Sequence, residues 1–171
     1  ALPGLQSPTF PHKLSSITSS LKYSTFKYTP AAATYTFDFA KNAINNEKLG
    51  AGKVTDFLSV SISSTDYMGH NFGPNSIEAE DTYLRLDKDI ADFINYLDSK
   101  MGKNNYLIFL SADHGAAHIP MFLKEHNIEA GIFDDINILK QLNKLIEENF
   151  NIKNAILTAQ NYQVYIDLIK L

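Results

Sequence analysis

Two short stretches, VTDFLSVSI at residues 54–62 and YLIFL at residues 106–110, decide how we expect this chain to fold. The first is rich in β-branched residues and alternates in polarity, which is typical of a strand. The second is continuously apolar, as central strands buried on both faces are. Between them, apolar residues recur at intervals of three and four, which predicts a long amphipathic helix. Strand, helix and strand make a βαβ unit, so we predict an α/β fold with a parallel-sheet core flanked by helices.

The rest of the chain adds further elements to this core. Residues 1–35 are rich in Ser, Thr, Pro and Tyr and hold no period, which predicts a loop-rich segment that covers other structure. Residues 38–48 are predicted as a short helix and residues 136–150 as a second amphipathic helix. Residues 155–158 and 163–168 are predicted as further strands.

The helix of the βαβ unit has recognisable start and stop signals. Asn75, with Glu78 three residues later, resembles a capping box. Gly102 is placed to end the helix. The segment before the helix contains Gly69 and Gly73 and is predicted as a loop.

The composition is that of a globular protein, and it excludes several functions. Of the 171 residues, 44% are hydrophobic and 20% are charged. The net charge is −4 without a cluster of Lys and Arg, so no nucleic-acid polymer is expected as a partner. No apolar run reaches about 18 residues, so no membrane span is predicted. There are no cysteines, which excludes thiolate metal sites, a cysteine nucleophile and disulfides.

Two pairs of potential metal ligands follow the two predicted strands. Asp66 and His70 lie shortly after the first strand, and Asp113 and His114 come directly after the second, where Gly115 permits a sharp turn. The carboxyl ends of parallel strands share one edge of a sheet, so we expect the two pairs to converge at the edge of the 54–114 core. Capping and loop hydrogen bonds are the alternative use of such residues.

Carboxylate and imidazole ligands without sulfur suit Zn²⁺. Two ions about 4 Å apart can clamp the attacking and leaving oxygens of a phosphoryl transfer. The other histidines are weaker candidates. His118 is predicted as a hydrogen-bonded loop residue or a support for a ligand, and His12 and His126 as surface residues. The serines of residues 59–64 lack the Gly-x-Ser-x-Gly elbow and are predicted as the polar face of a strand.

Two longer strings carry a family resemblance. They are SISSTDYMGHNFGPNSIEAEDTYLRLD at residues 61–87 and FLSADHGAAHIP at residues 109–120. Together they resemble the alkaline phosphatase superfamily, in its branch of type I phosphodiesterases and nucleotide pyrophosphatases, and within it the bacterial phosphate-irrepressible alkaline phosphatases. The resemblance implies an alkaline phosphatase-like fold, with residues 1–171 as an incomplete catalytic domain.

The resemblance also implies a two-zinc site. Asp66 and His70 match ligands of the first zinc, and Asp113 and His114 match ligands of the second. In this family a Thr or Ser forms a covalent phospho-enzyme that water then hydrolyses. That nucleophile and the remaining ligands have no counterpart here, so no catalytic residue is assigned. The resemblance therefore predicts that this chain is an internal piece of a larger enzyme and that it is inactive by itself.

The expected reaction is metal-dependent hydrolysis of small phosphate monoesters. Phosphodiester or nucleotide pyrophosphate hydrolysis on the same scaffold is the first alternative, and sulfatases and phosphoglycerate mutases are more distant ones. A non-catalytic binding remnant is an alternative of another class, in which the four ligand side chains would point apart. From the resemblance alone, a periplasmic or secreted location is expected; the oligomeric state is not predicted.

Overall fold

The computed structural model describes residues 9–17, 20–161 and 163–170. The chain divides into two compact units, of which the first ends at His126 and the second begins at Asn127. Among the described residues, no helix is both long and apolar enough to cross a bilayer. The first unit contains a 3-10 turn at Leu14–Ser16 and the helices α1 (Lys22–Phe26), α2 (Pro30–Glu47), α3 (Ser64–Phe72), α4 (Ile77–Met101) and α5 (Pro120–Glu125). The second contains α6 (Asp135–Phe150), β1 (Ile156–Gln160) and β2 (Gln163–Ile166).

Helix α2 begins earlier than predicted. Pro30 stands in its first turn, where the missing N–H has no intrahelical partner to lose. The helix predicted over residues 38–48 is confirmed as the later part of α2. The extended loop predicted over residues 1–35 is wrong where α1 and the start of α2 form, and residues 1–8, 18 and 19 lie outside the described part.

The core of the first unit lies between α2 and α4. Phe37 of α2 packs against Phe93 of α4, with ring centroids 5.2 Å apart. The hydroxyl of Tyr96 donates a hydrogen bond of 3.1 Å to the carbonyl of Lys41, which ties the two helices together at the edge of the core. The buried cluster consists of Phe37, Ala40, Ile44, Phe93 and Leu97. The amphipathic pattern that predicted α4 is confirmed for most of its apolar stripe, since Phe93 and Leu97 are buried and Leu86 and Ile90 pack against them, but it is wrong for Tyr83, which is 59% exposed.

The start of α4 differs from its prediction by one residue. The N-cap is Ser76, whose side-chain oxygen accepts a 3.1 Å hydrogen bond from the backbone N–H of Ala79. Asn75 lies one residue outside, so the capping box predicted for Asn75 and Glu78 is wrong. Gly102 ends the helix as predicted, with a φ of 83° that few side chains tolerate.

Replacing Ser76 with Ala is expected to lower the free energy of unfolding by about 1 kcal/mol, because one N–H of the first turn loses its acceptor. Urea unfolding followed by circular dichroism measures this loss. Ser99→Ala, at an exposed position near the other end of α4, is the matched control and should cause no loss. Equal effects of the two substitutions would show that Ser76 is not a cap.

The two predicted strands of the βαβ unit do not pair in the described structure. Residues 54–62 and 106–110 carry no strand assignment, and β1 with β2 is the only strand pairing among the described residues. A β-strand is defined by backbone hydrogen bonds to a neighbouring strand, and neither segment forms such a pairing among the described residues. The alternation is nonetheless visible, because Val60 and Ile62 pack on the α2–α4 core while Phe57 is 80% exposed. The predicted parallel βαβ core is thus not confirmed.

The second unit is a helix with a hairpin. The amphipathic pattern over residues 136–150 is confirmed as α6, which is capped by the carboxylate of Asp134. The strands predicted over 155–158 and 163–168 are found as β1 and β2, which pair antiparallel. The side-chain amide of Asn143 on α6 bonds both the N–H and the carbonyl of Ile156, which fastens the helix to the first strand.

Candidate metal centre

Helix α3 presents Asp66 and His70 on one face. The residues are four apart, and residues at this spacing are neighbours on a helix surface. The segment was predicted as a loop because of its glycines, and that prediction is wrong. Gly69 lies within the helix, and Gly73, with a φ of 85°, ends it. The four-residue spacing of Asp66 and His70 is the signal in the sequence that could have indicated this helix.

Three of the four predicted ligands converge. Nε2 of His70 lies 3.2 Å from Oδ1 of Asp66, and Nε2 of His114 lies 3.1 Å from the same oxygen. One potential ligand atom from each of these residues lies within 4.8 Å of the others. The convergence predicted for residues on two segments of the chain therefore holds for Asp66, His70 and His114, with Asp66 between the two imidazole rings.

Oδ1 of Asp66 has an environment that suits a metal ligand. It is buried and accepts no hydrogen bond of good geometry among the described residues. A buried carboxylate oxygen without a donor is costly. The imidazole nitrogens beside it are close but not aligned to donate to it, and a cation held between these three atoms would satisfy all of them. The donor set therefore fits a divalent ion that accepts oxygen and nitrogen ligands, of which Zn²⁺ is one.

His114 is oriented with Nε2 towards this group. Its Nδ1 lies 2.8 Å from the carbonyl oxygen of Gly115, which can only accept, so Nδ1 carries the proton and donates. This hydrogen bond, followed by the nearby Asp113 carboxylate, raises the pKa of His114. With Nδ1 protonated, Nε2 of the neutral ring keeps its lone pair for a ligand, an arrangement common in metal-binding histidines.

Asp113 stays outside the group of three. Its Oδ1 accepts a 3.1 Å hydrogen bond from the backbone N–H of His114, and its Oδ2 lies 3.9 Å from Nε2 of that residue. The side chain is 87% exposed. Asp113 thus lies beside His114, as the sequence order dictates, with a carboxylate that points into open space next to the converging residues.

The remaining histidines differ in their surroundings. His126 is exposed, as predicted. His12 was predicted at the surface, and this is wrong: its side chain is 11% exposed, stacks on Phe72 and has Nε2 2.8 Å from Glu78 Oε1. Glu78, predicted for the start of α4, is correspondingly only 13% exposed. No local pattern in the sequence connects the two members of this pair, which are 66 residues apart.

Comparisons with known proteins place these residues in context. The profile of the family described as type I phosphodiesterase / nucleotide pyrophosphatase matches residues 7–166. The chain is 51% identical over 166 residues to a Myroides odoratus protein named calcium-transporting ATPase. It is 49% identical over 162 residues to alkaline phosphatase PafA of Elizabethkingia meningoseptica and 48% over 164 residues to alkaline phosphatase PhoV of Synechococcus elongatus.

These alignments cover nearly all of this chain and a minor part of each relative. They include 96%, 95% and 96% of the chain, but 30%, 30% and 29% of the Myroides protein, PafA and PhoV. The crystal structure of wild-type PafA matches with a TM-score of 0.84 at 48% identity, over 96% of this chain and 31% of that one. The chain therefore has part of an alkaline phosphatase-like fold and belongs to the type I phosphodiesterase / nucleotide pyrophosphatase family of the alkaline phosphatase superfamily.

Proposed function

We propose that this chain supplies metal ligands to a zinc-dependent hydrolase of small phosphate monoesters. The observation that carries the proposal is the convergence of Asp66, His70 and His114 from two segments of the chain, with ligand atoms within 4.8 Å of one another. The names of PafA and PhoV, both alkaline phosphatases, support the choice of substrate class.

The proposed roles follow the pairs predicted from the family resemblance. Asp66 and His70 hold one ion, and Asp113 and His114 hold a second beside it. When bound, zinc supplies Lewis-acid stabilisation of the charge on phosphate oxygens. Nε2 of His114 lies 3.1 Å from Oδ1 of Asp66 and 3.9 Å from Oδ2 of Asp113, so the two proposed sites would be neighbours. The arrangement of Asp66, His70 and His114 by itself fits a single ion, and the second ion therefore requires Asp113 and His114 to turn towards each other. The hydrogen bond from His114 to Gly115 holds the imidazole ring in its ligand orientation.

Hydrolysis of phosphodiesters or nucleotide pyrophosphates is the second candidate. The description of the matching family favours it. A non-catalytic remnant is disfavoured, because it predicts ligand side chains that point apart, whereas three of the four lie together. From the family resemblance we also propose a periplasmic or secreted location for the protein.

A chimera tests whether this chain can supply the metal ligands of a phosphate monoester hydrolase. This chain replaces the matched 162 residues of PafA, and the purified protein is assayed with p-nitrophenyl phosphate and with bis-p-nitrophenyl phosphate. We expect the monoester to be the better substrate, and His70→Ala in the chimera to abolish most of the hydrolysis. The isolated 171-residue chain should hydrolyse neither compound, because the resemblance places the nucleophile outside it.

The outcomes separate the candidates. A zinc-loaded chimera that prefers the diester would favour the phosphodiesterase. A folded chimera that binds zinc and hydrolyses neither substrate would favour the non-catalytic remnant. Hydrolysis by the isolated chain would contradict the proposal that the nucleophile lies outside these 171 residues.

A further inference from the structure

The segment that follows His114 is attached to the turn that follows α3. Nδ1 of His118 lies 2.6 Å from the side-chain oxygen Oδ1 of Asn75, a residue 43 positions earlier. An amide oxygen can only accept, so Nδ1 of His118 donates this hydrogen bond. The contact joins a residue four positions after His114 to a residue five positions after His70. It therefore links the two segments that carry the converging ligands.

A second contact reinforces the same junction. Gly73 is buried, and a Cβ atom built on it would lie 2.8 Å from Cγ2 of Ile119. The residue next to His118 therefore packs directly onto the backbone that ends α3. The absence of a side chain at position 73 allows this close approach.

The ring of His118 is also held from its other side. It stacks on Phe122 in α5, with ring centroids 5.1 Å apart and planes 22° from parallel. A ring held by stacking loses little further freedom when it forms a hydrogen bond, so the bond to Asn75 has a defined direction. The link between the segments is consequently a specific contact between oriented groups.

We propose that His118 and Asn75 are positioning residues, which hold the His114 turn against α3 so that His114 reaches Asp66 and His70. This inference rests on the proposed metal centre and adds to it two residues that bind no metal themselves. His114 contacts Asp66 from a short segment without helix or strand, which depends on such attachments for its position. Loss of the hydrogen bond removes no ligand side chain, but it lets the His114 turn move away from α3.

The test uses the 171-residue chain and two measurements. Affinity for Co²⁺, a spectroscopic substitute for Zn²⁺, is measured by titration. Proximity of the His70 and His114 rings, whose centroids lie 5.8 Å apart, is measured in metal-free protein by the nuclear Overhauser effect between their ring protons. We expect His118→Ala and Asn75→Ala each to weaken Co²⁺ binding about tenfold, at the lower end of the roughly 10–100-fold losses seen when supporting partners of metal ligands are removed. Both variants should also lose the ring-to-ring signal.

Three further variants define the role of the hydrogen bond. His118→Asn places an N–H donor where Nδ1 of His118 lies, so it should restore much of the affinity. The double variant should lose no more affinity than either single one, because both remove the same bond. His126→Ala is the matched control, since the ring of His126 packs on the same Phe122 and its Nδ1 bonds the backbone carbonyl of that residue, four positions earlier in the same segment, rather than the turn after α3. It should leave both measurements unchanged.

Failure of the inference differs from failure of the proposed function. Retention of the ring-to-ring signal in both His118→Ala and Asn75→Ala would overturn the positioning role, whatever the metal affinity. Equal loss in His126→Ala would do the same. A wild-type chain that shows the signal but binds neither Co²⁺ nor Zn²⁺ would instead overturn the metal centre, while loss of the signal in the variants would still support the positioning.

Discussion

Replacement of Asp66 with Asn is expected to reduce the affinity of the chain for Zn²⁺ by about 100-fold or more. Loss of a supporting partner outside the ligand shell already costs about 10–100-fold, so loss of a direct ligand should reach the upper value or exceed it. Asn keeps the shape of the side chain but removes its negative charge. The same oxygen contacts both His70 and His114, so the substitution affects the whole group of three.

Isothermal titration calorimetry with Zn²⁺ measures this effect, and circular dichroism verifies that α3 is retained. Asp87→Asn is the matched control, because Asp87 is an exposed carboxylate on α4 of the same unit. It should bind Zn²⁺ as the wild-type chain does. If the two substitutions had equal effects on affinity, general charge rather than a defined site would account for the binding.

Replacement of Phe93 with Ala is expected to lower the free energy of unfolding by about 3–5 kcal/mol, as for other large-to-small substitutions in cores. Phe93 is 6% exposed, and its ring contacts both Phe37 across the helix interface and Tyr96 one turn further along α4. Truncation leaves a cavity between α2 and α4 that neither helix can close alone. Since small domains are stable by only about 5–15 kcal/mol, a substantial unfolded population is expected.

Urea unfolding followed by far-UV circular dichroism provides the measurement. Tyr83→Ala serves as the control on the same helix, because Tyr83 is 59% exposed and its loss should change stability by less than about 0.5 kcal/mol. A loss below about 1 kcal/mol for Phe93→Ala would mean that the α2–α4 interface does not stabilise this unit. Retained Zn²⁺ binding in a folded fraction would show that the core supports α3 without contributing ligands.

The helices show which parts of the fold a local sequence pattern can predict. Helices α4 and α6 were predicted because long amphipathic segments repeat their apolar residues with the helical period. Helix α3 was missed because Gly69 and Gly73 indicated a loop. The segments 54–62 and 106–110 have the composition of strands but lack a paired neighbour in the described structure, since strand formation depends on residues elsewhere in a fold.

The candidate site also has features that the sequence predicts and features that only the tertiary structure determines. Residue types and order predicted Asp66, His70, Asp113 and His114 as potential ligands, because ligand chemistry belongs to the side chains themselves. The resemblance of residues 61–87 and 109–120 indicated the family, which the matching profile confirms. Only the tertiary structure shows that three of the potential ligands lie together while Asp113 stays exposed beside them. The contacts between His118 and Asn75 and between His12 and Glu78 are likewise visible only in the fold. These contacts join residues 43 or more positions apart, or depend on side-chain direction, and both arise from how the helices and turns pack in three dimensions.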